Sequence, residues 1–141
     1  MNLDINYSGY ENQIQTALIA ANLGMDVDVT PEEPIAFIQR MAKPSGAITV
    51  GYRGSEFGDL QGQGGICQGI RINFAVSIAL HSLRLPTGVY DMLNKIRGAL
   101  SGLELESGYP LRASHEGFVQ IDQELWLFEA LYQVAMTVYG T

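Results

Sequence analysis

The residues of this chain that could do chemistry are few and scattered. There are two histidines, His81 and His115. A zinc site needs three or four ligands, and neither histidine has a further His, Cys or carboxylate at metal-binding spacing. His115 and Glu116 are adjacent, so on a strand they point to opposite faces. Asp26, Asp28, Glu32 and Glu33 form an acidic cluster that would attract a cation. They lack the central Gly and terminal Glu of a calcium loop, and helix capping and solvation account for all four. Gly62-Gln63-Gly64-Gly65 shares only its glycines with a phosphate loop; no Lys-Ser or Lys-Thr follows, and a strand rather than a helix comes next. Cys67 is the sole cysteine, and a nucleophile would need a base and a group to orient it. No Gly-x-Ser-x-Gly elbow is present. The sequence therefore assigns no catalytic residue, no cofactor and no metal, and the expectation is a protein that is not an enzyme.

Composition narrows the class further. The chain has 141 residues, long enough for one domain, 1–141, to bury a core without disulfides or metals. Hydrophobic residues make up 47% and charged residues 16%, against roughly 25% charged in an ordinary soluble domain. A surface poor in charge fits either a polar uncharged exterior or one partly covered by a partner. The net charge is −7 and no basic run exists, which argues against binding along a nucleic-acid backbone. One cysteine makes no internal disulfide. Met1–Asn6 lacks the basic and apolar regions of a signal peptide, and no apolar run is of membrane-spanning length. The expectation is a protein kept in a reducing cytoplasm, or in a particle assembled there, without a membrane partner.

The elements that would position any site follow from pattern. Ser8-Gly9-Tyr10-Glu11 matches a capping box, with Ile14, Ala17, Leu18 and Ala21 at helical spacing and Gly24 as the stop. Met25, Val27 and Val29 alternate with Asp26 and Asp28, as in a short strand. Thr30-Pro31-Glu32-Glu33 reads as a second helix start, with Ile35, Phe37, Ile38 and Met41 following. Ile48, Val50 and Tyr52 share a strand face, and the Gly- and Gln-rich stretch Gly54–Gly65 is expected to be a long loop. From Ile70 to Leu80 every second residue is apolar, the clearest strand signal in the chain. Thr87 is the expected cap of a third helix, which carries Val89, Met92, Leu93, Ile96 and Leu100 on one stripe. Strands are expected near Leu111–His115 and over Leu125–Tyr139. In the latter, Leu125, Leu127 and Leu131 lie on the second face, which calls for cover by a helix or another subunit. The order predicts an α+β domain: an antiparallel or mixed sheet, about three helices mainly on one face, and a long loop between two central strands.

One ordered series of segments goes further. Pro44–Gly58 (Pro-Ser-Gly-Ala-Ile-Thr-Val-Gly-Tyr-Arg-Gly-Ser-Glu-Phe-Gly) resembles a Pro-Ala-x-x-Val-x-Tyr-x-Gly-x-x-Phe-like segment of the Mu-like phage tail terminator (tail completion) family. A Gly-rich loop and the alternating strand Ile70–Leu80 follow, as in that family. Gly88–Gly102 is similar to the family's next helix, and Pro110-Leu111-Arg112 to its Pro-Leu-x segment. The departures are Ser45-Gly46 at the usual Pro-Ala position and the extra residues Glu104–Gly108.

The resemblance implies a structural virion protein, a homohexameric ring at the head-proximal end of a contractile tail. Such a ring caps the tail tube, contacts tube protein, sheath and neck or head-connector proteins, and lets genomic DNA pass through its lumen. Assembly would take place in the bacterial host cytoplasm. An acidic wall suits that lumen, because it repels phosphates and lets the polymer slide. The expected interface residues are Arg53, Arg71 and Arg112, which would pair with acidic groups on neighbours, and Phe57 and Leu60 as apolar anchors in the glycine-rich stretch with Gly54, Gly58, Gly62, Gly64 and Gly65. Another neck or tail-completion adaptor, or a small ligand-binding domain under the loop, would use the same fold.

Overall fold

In the computed structural model the described residues are 5–43, 45–62, 67–106 and 108–139. The elements run α1 (Tyr7–Ala20), β1 (Val27–Val29), α2 (Pro34–Met41), β2 (Ala47–Gln61), β3 (Cys67–Leu80), α3 (Val89–Leu100), β4 (Leu111–Asp122) and β5 (Leu125–Tyr139). They form the expected α+β architecture, a five-stranded mixed sheet in the order β1-β2-β3-β5-β4. Only β1 lies parallel to its neighbour; every other pairing is antiparallel.

β3 is the spine. Ile70, Ile72, Phe74, Val76, Ile78 and Leu80 are all buried on one face, as their alternation predicts. α1 brings Tyr10, Ile14 and Leu18 to that face, and α3 brings Val89, Met92, Leu93, Ile96 and Leu100. These residues form one continuous core with Tyr132 and Val134 of β5. Burying a large aliphatic side chain contributes roughly 1.5–3 kcal/mol, so this face holds the molecule together. On the opposite face a smaller cluster joins Met41 of α2 to Ala47, Ala79 and Leu125, with Phe37 and Leu127 against it. The cover that the second face of β5 calls for is thus supplied in part by α2, from within the chain.

The ends of the helices differ from the sequence pattern. α1 is capped by Asn6, whose side chain accepts from the Gly9 N–H at 3.0 Å, and Ser8 lies inside the helix. Glu11 closes no box; its carboxylate accepts the Tyr52 N–H at 2.8 Å and ties α1 to β2. α1 ends at Ala20, before Gly24. α2 begins at Pro34 after Glu33, because Thr30 is already committed to β2, where its N–H donates to the Val50 carbonyl at 2.8 Å. Ile35 and Ile38 of α2 are exposed, whereas Met41 is buried. Gly88, not Thr87, precedes α3.

The largest correction concerns the expected loop. Gly54–Gln61 is strand, paired with β3 from Gly54↔Asn73 to Gln61↔Cys67, with register shifts at Tyr52/Gly54 and Phe57/Leu60. The apolar run of β3 imposes the pairing, and the bulges absorb the poor strand formers. Gln63, Gly64, Gly65 and Ile66 of that stretch lie outside the described residues, as do Pro44 and Ser107. β4 is also longer than expected, reaching Asp122 rather than His115.

Candidate assembly interface

Cross-strand partners share a sheet face, so the register places each expected interface residue. Arg71 stands between Glu56 on β2 and Ala135 on β5. Arg112 pairs with Gln133, which in turn pairs with Asn73. Arg53 sits in the first bulge of β2 and its guanidinium reaches Glu129, the partner of Ser77. All three arginines therefore lie on the face away from α1 and α3. Phe57 pairs with Ile70 and Leu60 with Gln68, which puts both on the helix-bearing side, at the far end of the β2–β3 hairpin. They are 62% and 63% exposed, so no helix covers them. The five expected interface residues form two groups, on opposite faces.

The arginine face is organised. Arg112 donates to the Gln133 Oε1 from Nε at 3.2 Å and from Nη2 at 2.7 Å. Gln133 Nε2 donates to Asn73 Oδ1 at 3.1 Å, and Asn73 Nδ2 to Glu56 Oε1 at 3.4 Å. This polar ladder crosses β4, β5 and β3 in one row and steps diagonally to Glu56 on β2. Gln133 is 6% exposed, and its amide can serve both neighbours only in one orientation. Arg112 spends its bonds on a neutral acceptor and keeps its full charge. Arg71 takes part in no ion pair or side-chain hydrogen bond among the described residues. Three of the eight basic residues of the chain thus share one sheet face with Glu56 and Glu129, and of the three only Arg71 and Arg112 have no acidic partner among the described residues.

Two apolar features flank this face. A groove of about 260 Å³ runs between α2 and β4, lined by Phe37, Ile38, Met41, Val119 and Leu127 with the Arg53–Glu129 pair beside them. At the other end, a cleft of about 460 Å³ lies around Phe57, Ile70, Tyr109 and Met136. Sequence reasoning missed the apolar stretch of β4. Phe118, Val119 and Ile121 are exposed, and Phe118 stacks edge-on against Trp126 at 5.9 Å and Phe128 at 5.6 Å. The signal was the apolar cluster Phe118, Val119 and Ile121, whose alternation is broken by the bulge at Phe118/Gln120.

Behind the sheet, Arg97 of α3 and Glu116 of β4 form a two-pronged pair at 3.0 and 2.7 Å. The hydrogen bonds and charge of Glu116 push the Arg97 pKa up. Nearby, burial raises the Tyr132 hydroxyl to a pKa of about 12, with the Glu116 charge adding to the effect and Arg97 opposing it. That hydroxyl is buried without a hydrogen-bond partner among the described residues.

None of the sequence-singled chemical groups converge. Asp28 of the acidic cluster pairs with Arg40, His115 is exposed on β4, and Cys67 is half-buried at the start of β3. Among the described residues no group of three or more His, Cys, Asp or Glu side chains could hold a metal ion, and no helix is long and apolar enough to cross a membrane.

What the fold and this surface define is an α+β sheet domain with an arginine-bearing face. The same fold occurs in a solved chain described as "Virion of native gene transfer agent (GTA) particle", with a TM-score of 0.54 and 14% identity, covering 97% of this chain and 100% of that chain. The family model of the Gp37 protein matches residues 14–139, and the chain belongs to that family. No curated protein matches the sequence.

Proposed function

We propose that this protein is a structural component of a phage or phage-like particle, one domain that acts without catalysis as the terminator of the tail. Six copies form a ring at the head-proximal end of a contractile tail, cap the tube and sheath, and present the joint to the neck. The observation that carries the reading is the end-to-end likeness in fold to a chain from a gene transfer agent virion. The resemblance of the ordered motifs from Pro44 to Arg112 to the tail terminator family supports the terminator role. A terminator must match the growing end of a tube on one side and fail to reproduce that end on the other. A sheet with a polar, mixed-charge face carrying Arg53, Arg71 and Arg112 on one side and α1 and α3 on the other supplies two such unlike surfaces.

The test is to delete the gene from the particle and image the products. Tubes of irregular, excessive length with unjoined heads are expected. Tails of normal length that fail to join heads would assign the adaptor role instead, and unchanged particles would overturn both.

A further inference from the structure

The sheet has two open edges. On one side, β1 covers β2 only from Ile48 to Val50, and Glu11 takes the Tyr52 N–H. Among the described residues no strand lies beyond β2 from Arg53 to Gln61. On the other side, Leu111 is bonded to Gly102 and Leu103, but among the described residues no strand lies beyond Arg112–Asp122 of β4. Long bare edges are templates for pairing with another chain.

We propose that β4 of one copy pairs antiparallel with the Arg53–Gln61 edge of β2 in the next, so that the sheet continues from subunit to subunit around the ring. This rests on the ring reading above. Three features select a second copy as the occupant. First, strand direction: β2, β3, β5 and β4 alternate, so β4 runs opposite to β2. Copies repeated by rotation therefore meet antiparallel, the better-bonded arrangement.

Second, the charges run the same way along both edges. β2 goes from Arg53 to Asp59, and β4 from Arg112 to Asp122. An antiparallel register that sets Asp59 against Arg112 then pairs the acidic end of β2 with the basic start of β4, and leaves Asp122 beyond Arg53. Asp59 and Asp122 are exposed and in no ion pair among the described residues, and Arg112 has only a neutral partner. Third, the two edges are offset. The centre of β4, Gly117, stands level through Glu129 with Ser77 of β3, whereas Phe57 stands level with Ile70. Seven residues separate those levels, roughly 23 Å at 3.3 Å per residue. Overlap therefore requires strands tilted across the ring, as in closed barrels. Because the contact joins two different edges, it is heterologous: it propagates from copy to copy instead of stopping at a two-fold dimer, and gives a ring when the rotation closes.

The experiment uses the full chain and reads its mass in solution over a concentration series. D59R and R112D are each expected to weaken assembly by about tenfold or more, through like charges facing across the edge. Mixing the two variants restores it, because alternating copies recreate opposite charges at every contact. Asp59 has no ion-pair partner to lose, so D59R tests the edge even if R112D folds poorly; thermal melting checks each variant. Rings that survive D59R at wild-type concentration overturn the edge pairing and leave the ring reading standing. A wild-type chain that stays monomeric throughout, with tail-tube protein present as well as absent, overturns both.

Discussion

Replacing Tyr132 with Phe should stabilise the protein. The Tyr132 ring is fully buried in the main core between α3 and the sheet, and its hydroxyl has no hydrogen-bond partner among the described residues. A buried polar group left unpaired costs about 1–3 kcal/mol. Tyr132→Phe keeps the ring and its packing and removes that cost, for a gain of about 1–2 kcal/mol, or a rise in Tm of roughly 3–6 °C. The pH dependence provides a second reading. The folded pKa is raised from the ordinary 10 to about 12, so folding favours the neutral hydroxyl. That contribution is fully present below pH 10 and is lost as pH rises towards 12, amounting to about 3 kcal/mol for a two-unit shift. Denaturant unfolding of both proteins from pH 7 to 12 is the assay. The wild type should lose stability above pH 10 more steeply than the variant. A variant less stable than the wild type at pH 7, or two curves falling in parallel, would refute the reasoning.

Two further substitutions probe the scaffold. Gly46 has φ +90°, and a Cβ there would stand 2.9 Å from both the Ala79 carbonyl oxygen and Leu80 Cδ2, so Gly46→Ala should cost about 2–3 kcal/mol, read as a lower urea midpoint at unchanged slope. Glu116→Gln weakens the partly exposed link from α3 to β4 and should lower Tm slightly; the difference from wild type should shrink in high salt, and the Tyr132 pKa should fall.

Much of this architecture was legible in residue pattern, for reasons that particular elements make plain. Ile70–Leu80 and the stripe from Val89 to Leu100 show their periods because one face of each is buried against a single core. Gly54–Gln61 was not legible as strand. Its glycines and glutamine have low strand preference, and what makes it a strand is the apolar β3 beside it, a partner the local pattern does not contain. Ser8 and Glu11 fit a capping box in type and spacing, yet Asn6 caps the helix and Glu11 serves the edge of β2. A local motif specifies a bond only when no tertiary donor competes for it.

The residues expected at an interface can be singled out one at a time in the sequence, but their arrangement cannot. Arg53, Arg71 and Arg112 stand on three different strands, and only the register shows that they share a face. Gln133, which joins Arg112 to Asn73, looked like one more polar residue on a second sheet face. Phe57 and Leu60 belong to the opposite side for the same reason, since the bulges of β2 set their facing.

The central claim, a ring that ends a tube, is tested most directly by the mass of the purified chain in solution, alone and with tail-tube protein, by light scattering across concentration. The account predicts a hexameric mass built from the 15.4 kDa chain, either alone or once the tube is present. A species that stays at 15.4 kDa under both conditions, and leaves the tube uncapped, would contradict it.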